Sequence, residues 1–115
     1  MSELVQKSTA ATQPAQTRFP GTKTLLNATK LAIMEDKPIM MDYWVQSLTT
    51  NPTTNERCIV IGVTENDVKH LIKSDEEYTS AVAKIYKCET EYIIMTENSI
   101  YIVDAEIQTK KIKSD

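Results

Sequence analysis

Short hydrophobic segments separated by polar breaks form the clearest pattern in this chain, over residues 83–103. The segments are Ala83–Cys88, Tyr92–Thr96 and Ser99–Val103, and they are rich in Ile, Tyr and Val. Such side chains suit a pleated, half-buried surface, and the breaks between them carry Glu, Thr and Asn. The pattern predicts a three-stranded antiparallel meander. We expect Ile94 and Ile102 to lie in its interior.

Apolar residues recur at helical spacing between Thr22 and Asp36. The apolar positions are Leu25, Leu26, Ala28, Leu31, Ala32, Ile33 and Met34. This spacing predicts an amphipathic helix that packs on the core, with Thr22 or Thr24 as its N-cap. Pro38 stops the helix, because the residue before a proline disfavours the α-region.

Residues 39–45 alternate between two faces, which predicts a strand. One face carries Ile39, Met41, Tyr43 and Val45, and the other carries Met40, Asp42 and Trp44. An exposed Trp beside a Met can mark a contact surface, so Met40, Asp42 and Trp44 are candidate residues for binding a partner protein. The other interpretation is that the helix and further strands bury both faces of this strand.

A continuous apolar run at Arg57–Val63 predicts a central strand, and Gly62 within it indicates a bulge or a bend at a barrel corner. Two structures compete for Val68–Lys73. It is either a short helix capped by Thr64 or a strand that returns as a hairpin onto Arg57–Val63. We favour the strand because the segment is short for a helix before the next turn.

Together these elements predict an α+β fold in which β-structure dominates. We expect the N-terminal helix to pack on a five- or six-stranded antiparallel sheet that curls into a small SH3-like barrel. Residues 1–20 are mostly small and polar, which predicts a disordered N-terminal tail. Residues 21–109 are predicted to form one domain, and residues 110–115 a short basic C-terminal end that frays.

The amino-acid composition argues against several classes of function. The net charge of −3 gives the chain no overall attraction to nucleic acid or anionic membranes. The two glycines are too few for a glycine-rich phosphate loop. Two cysteines, Cys58 and Cys88, and one histidine, His70, are too few for a structural zinc site, so we expect no metal and no cofactor. We expect the cysteines to be small buried hydrophobes.

No signal-like segment opens the sequence, and no apolar run is long enough to span a membrane. We therefore expect an intracellular, cytoplasmic protein with no membrane partner.

Two further sets of residues suggest specific functions. Tyr86 and Tyr101 on the meander, with Lys84 and Lys87 beside them, could bind single-stranded nucleic acid, as aromatic and basic residues do on small β-barrels. Cross-strand aromatic pairing that only stabilises the sheet is the other interpretation. His70, with a cysteine near it, is the one candidate for a small hydrolase or thiol enzyme, and a structural histidine is the interpretation we favour.

Three stretches, KPIMMDYW, EYTSAVAKIYK and TEYIIMTENSIYIVDAEI, lie within residues 37–107. They resemble small uncharacterised proteins encoded by large DNA viruses of algae and protists. The resemblance implies a viral source, and with it the host cytoplasm or a virion, and it carries over no catalytic or binding residue. We expect a small non-enzymatic module that binds another protein or a second copy of itself. A nucleic-acid-binding barrel is the alternative, and an enzyme around His70 a distant third.

Overall fold

Two helices and seven strands follow one another in residues 18–113, the part of the chain that the computed structural model describes. In chain order they are α1 (Thr22–Glu35), β1 (Ile39–Met40), α2 (Trp44–Leu48), β2 (Val60–Val63), β3 (Lys69–Ile72), β4 (Val82–Cys88), β5 (Glu91–Thr96), β6 (Ile100–Asp104) and β7 (Gln108–Lys111). The predicted tail, residues 1–20, lies outside the described residues except for its last three.

The predicted meander is confirmed as the centre of a four-stranded sheet with the order β1-β6-β5-β4. Strands β4, β5 and β6 are antiparallel, with Ile85 opposite Ile94 and Ile93 opposite Ile102. Glu89 adopts a left-handed backbone conformation, with φ of 57°, in the tight turn between β4 and β5. Strand β1 adds to β6 in parallel, a pairing that local periodicity does not reveal.

A second, three-stranded sheet has the order β3-β2-β7. The hairpin between β2 and β3 is antiparallel, which confirms the strand interpretation of Val68–Lys73. Strand β7 runs parallel to β2, with Val63 opposite Lys111. The expectation that the basic end frays is therefore wrong for Lys110 and Lys111, because both pair with β2. The N–H of Ile112 also donates to the carbonyl of Val63 at 2.9 Å.

Gly62 lies in a regular strand and makes no bulge, since the pairing of β2 with β3 is continuous on either side of it. Its lack of a side chain serves packing. A Cβ at this position would overlap Cδ1 of Ile72 and approach Cδ1 of Ile112 to 3.0 Å. The predicted bend is wrong, and the glycine is explained by the two isoleucine side chains that cover it.

The four-stranded sheet is packed on both faces. Its first face meets α1 and α2 through a core of Ala28, Trp44, Ile93, Met95, Ile100 and Ile102. Its second face meets the three-stranded sheet through Tyr43, Ile59, Ile61, Leu71, Ile94, Val103 and Ile107. Ile94 and Ile102 are both fully buried, as predicted, one in each core.

The α+β class and the dominance of strands are confirmed, whereas the single antiparallel sheet is wrong. The strands of residues 18–113 form two sheets, and each sheet is mixed because β1 and β7 join it in parallel. Neither sheet closes on itself, so the predicted SH3-like barrel is not confirmed.

The predicted strand at residues 39–45 is only two residues long and is followed by a turn and by α2. The turn lets consecutive aromatic residues enter different cores: Tyr43 packs between the sheets and Trp44 on the helix side. The alternation of residues 39–45 therefore does not come from one extended strand. It comes from a short strand and a turn whose residues are buried in two different cores.

Candidate functional site

Helix α1 rests on the four-stranded sheet through a narrow face of small residues. Thr24 and Ala28 are fully buried, and Leu31 and Ala32 are partly buried against the same core. The helix packs on β5, β6 and β1. Because only Thr24 and Ala28 of this helix are fully buried, most of its circumference remains outside the core.

A buried carboxylate holds the first turn of α1 in place. Glu91, at the start of β5, accepts the backbone N–H of Gly21, which lies 3.2 Å from both carboxylate oxygens. The hydroxyl of Thr24 donates to the same carboxylate at 2.5 Å. Gly21 is the N-cap residue, so the predicted caps, Thr22 and Thr24, are wrong. The hydroxyl of Thr24 instead donates to Glu91, and this hydrogen bond links α1 to β5.

The outer surface of α1 carries several large apolar residues among its polar ones. Leu26 is 54% exposed, Ile33 77% and Met34 76%, although the sequence pattern predicted that they face the core. The apolar positions of this helix extend around more than one side, whereas a helix with a single buried face carries a narrower stripe. That breadth is the feature of the sequence that fits the exposed apolar residues of α1.

A groove of about 620 Å³ lies between α1 and β4. Its helix side is lined by Lys23, Asn27, Lys30, Leu31 and Met34, and its sheet side by Tyr86, Lys87, Cys88, Glu89 and Ile93. We call this feature the α1–β4 groove. It has an apolar floor and a polar rim, the combination that ligand and peptide sites commonly show.

The rim of the α1–β4 groove is positively charged. Lys23 and Lys30 of α1 and Lys87 of the edge strand line it, with a single acidic residue, Glu89. Among residues 18–113, neither Lys23 nor Lys30 makes a salt bridge. The groove is therefore a local basic site on a chain whose net charge is −3, and it favours a ligand that carries negative charge.

The candidate patch around Trp44 is not exposed. Trp44 is 4% exposed, its indole N–H donates to the carbonyl of Arg18 at 2.7 Å, and the guanidinium of Arg18 lies 5.5 Å from the ring centre. Met40 and Asp42 are exposed, but the side chain of Trp44 is not exposed beside them. The prediction of an exposed Trp44-centred surface is wrong, because the turn before α2 directs the indole inward.

The four residues proposed for nucleic-acid binding do not share one face. Lys84 and Tyr86 lie on the helix side of β4, since they pair with Met95 and Ile93 of the helix-side core. Lys87 alternates to the other face.

Tyr101 also lies on that other face, because it pairs with Ile94. It packs edge-to-face against Tyr43 with ring centres 5.2 Å apart, and burial raises the pKa of Tyr101. The predicted platform is therefore divided between two faces of the sheet, and its second tyrosine is half-buried.

His70 borders a second cleft, of about 780 Å³, on the outer side of the three-stranded sheet. Its Nδ1 lies 2.9 Å from the carbonyl of Thr79, which can only accept, so Nδ1 donates. The ring packs edge-on against Tyr78 with centres 5.9 Å apart. The cleft is also lined by Asp75 and by three lysines, Lys110, Lys111 and Lys113.

Cys58 and Cys88 are free and half-buried, and neither is a hydrogen-bond partner of His70 within the described chain. Residues 18–113 contain no group of three His, Cys, Asp or Glu side chains arranged to hold a metal ion. Neither helix of that part is long and apolar enough to cross a membrane.

The fold and the groove define the class as a small α+β protein with two mixed sheets and a basic, apolar-floored groove beside an edge strand. Comparison of the chain with protein-family models, with curated proteins and with solved structures found no match. The resemblance to viral proteins stays a prediction.

Proposed function

We propose that this chain is a small non-enzymatic interaction module that binds a segment of another protein in the α1–β4 groove. The observation that carries the proposal is the apolar, uncovered surface of α1 beside that groove, with Ile33 and Met34 each more than three-quarters exposed. Large apolar side chains left exposed on a small protein commonly mark a contact with a partner, and Met34 lines the groove itself.

The contacts around the groove support a preformed binding surface. Glu91 fixes the first turn of α1 through Gly21 and Thr24, so one wall of the groove is held in place. The opposite wall is a strand of a sheet that is packed on both faces. A rigid site loses less conformational entropy on binding than a flexible one, which suits recognition of a short segment.

The test is a selection of displayed random peptides on the immobilised full chain. Selected peptides should bind the wild type and Thr53→Glu, a control that adds the same charge at an exposed loop position. They should bind Met34→Glu at least about tenfold more weakly, because truncated or charged anchors commonly cost that much or more. Failure to enrich any peptide, or equal binding to Met34→Glu, contradicts the proposal.

Single-stranded nucleic acid is the second candidate ligand, and the cleft beside His70 is the observation that favours it. Three lysines and an exposed aromatic residue, Tyr78, line that cleft. Its positive charge is reduced by Asp75 in the same cleft and by Glu56, which lies 3.0 Å from the amine of Lys110. Because these carboxylates offset part of the positive charge of the cleft, we rank nucleic acid below a protein segment as the ligand.

His70 makes that alternative easy to test, because it is the only histidine in the sequence. Its ring proton resonance should shift when a single-stranded deoxythymidine oligonucleotide is added at low salt, and should return as salt is raised. No shift at about 10⁻⁴ M oligonucleotide, the weak end of non-specific binding, contradicts the alternative. An enzyme built on His70 has the least support, because its one hydrogen bond within residues 18–113 is to a backbone carbonyl.

With the viral source that the resemblance implies, we propose a virion or host protein as the partner of this module. We propose another protein as the partner. A second copy of the chain is less favoured, because the lysines of two paired β4 strands would repel each other.

A further inference from the structure

Resting on the proposed function, we propose that β4 receives an extended, acidic segment of the partner as an additional strand. Alternate side chains of that segment enter the α1–β4 groove and contact Met34 and Tyr86. This mode, in which a peptide extends an exposed sheet edge beside a helix, takes its affinity from main-chain hydrogen bonds and its specificity from the pockets for alternate side chains.

Strand β4 has one edge available for this pairing. It is the last strand of the sheet order β1-β6-β5-β4, and its partner is β5 alone. Within residues 18–113, no hydrogen bond from outside the sheet reaches the backbone of Lys84–Lys87, while the carbonyl of Cys88 accepts the hydroxyl of Thr24 at 3.4 Å. In an antiparallel ladder every second residue directs its N–H and C=O away from the paired strand. Those groups on β4 are therefore ready to pair, along a strand that is seven residues long.

The dimensions of the groove favour a strand over a helix as the occupant. Helix α1 packs on β5, so the uncovered floor is about one strand wide. Neighbouring strands lie roughly 5 Å apart, whereas a helix with its side chains is about 10 Å across. An added strand continues the sheet in its own plane, whereas a second helix needs about 10 Å of room beside α1.

The lysines of β4 and of the groove favour a partner segment that carries negative charge. Strand β4 contains Lys84 and Lys87 and no acidic residue, and Lys23 and Lys30 line the helix side of the groove. Two copies of β4 paired edge to edge would bring lysines of one copy against those of the other, and like charges across a ladder are destabilising. Lysines on an edge strand commonly prevent such self-association. A segment that alternates Ile or Val with Asp or Glu complements both features.

The test uses a fluorescent seven-residue peptide that alternates Glu with Ile or Val, titrated against the full chain by anisotropy. Two N-methylated forms of it block either of the two alternate sets of backbone amides. Strand addition predicts that one methylated form binds at least about tenfold more weakly, because several hydrogen bonds are lost, and that the other form binds like the parent. Equal binding of both forms overturns strand addition.

Charge variants give the second arm of the test. Lys30→Glu, on the helix side of the groove, should weaken binding of the peptide severalfold, while Lys69→Glu, the same change in the three-stranded sheet, should leave it unchanged. Equal effects of the two variants overturn the assignment of an acidic segment to this groove.

The failure of strand addition and the failure of the proposed function can be told apart. If both methylated forms bind equally and Met34→Glu still abolishes binding, the groove binds its partner in another conformation, so only strand addition falls. If the acidic peptide does not bind at all, strand addition is overturned, and the displayed-peptide selection decides the proposed function independently.

Discussion

Replacing Thr24 by Val removes the hydroxyl that ties α1 to Glu91 and keeps the branched shape of the side chain. Glu91 is 3% exposed, so water cannot readily replace the lost donor. The carboxylate then keeps only the N–H of Gly21 as a hydrogen-bond donor among the bonds described above. The substitution tests directly whether the buried carboxylate holds one wall of the groove.

The expected cost follows from the character of this bond. A hydrogen bond to a charged group contributes about 1.5–3 kcal/mol, and Thr and Val have similar helix propensities. We therefore expect Thr24→Val to lower the free energy of unfolding by about 1.5–3 kcal/mol. Thr29→Val is the matched control, because Thr29 lies on the exposed side of the same helix and donates only to the carbonyl of Leu25. Its cost should stay within about 0.5 kcal/mol.

The assay is urea unfolding of the full chain, followed by far-UV circular dichroism at neutral pH. With a denaturant dependence of about 1–2 kcal/mol per molar urea, the midpoint of Thr24→Val should fall by roughly 1–3 M relative to Thr29→Val. Equal midpoints for the two variants would refute the reasoning, since they would mean that the hydroxyl of Thr24 contributes no more than one exposed to solvent.

Three further outcomes are expected. Ile102→Ala should cost about 2–5 kcal/mol in the same urea assay, because Ile102 is fully buried, and a loss below about 0.5 kcal/mol would contradict that burial. Gly62→Ala should cost about 1–3 kcal/mol through overpacking against Ile72 and Ile112, and an unchanged thermal midpoint would show that these side chains yield freely. Burial, with nearby negative charges, raises the pKa of Tyr43 from 10.0 to about 12. The folded chain therefore keeps a proton that the unfolded chain loses, and stability should fall as pH rises from 10 to 12. Tyr43→Phe should reduce that fall, and an unaltered pH dependence would count against the raised pKa.

The local pattern of apolar residues was enough to predict those strands whose pairing partners are close in sequence. The meander and the β2–β3 hairpin join neighbouring segments through short turns, and their apolar residues recur at strand spacing. Ile94 and Ile102 are buried on opposite faces because the sheet is covered on both sides.

The parallel pairings could not be predicted in this way. Strand β7 is exposed along its whole length, so it lacks an alternating apolar pattern. It is held by backbone pairing with β2, and the side chain of Ile112 lies over Gly62. Which strand it joins depends on contacts about 50 residues away in sequence, between Val60–Val63 and Gln108–Lys111.

The candidate site was missed for a related reason. Helical spacing identified α1 correctly, but it did not show which of several apolar faces meets the sheet. Ala28 and Thr24 take that position because small residues allow close approach, which leaves Ile33 and Met34 outside. Burial of Trp44 was one of two interpretations of residues 39–45, and the pattern could not decide between them, because the acceptor of the indole N–H is the backbone carbonyl of Arg18.

The most direct measurement of the central claim is amide hydrogen exchange of the full chain, with and without a peptide selected for binding. If the α1–β4 groove is the binding site and β4 gains a strand, exchange should slow at alternate residues of Val82–Cys88, whose amides face away from β5. It should remain unchanged in the three-stranded sheet. Protection confined to the cleft beside His70, or no added protection anywhere in β4, would contradict the account.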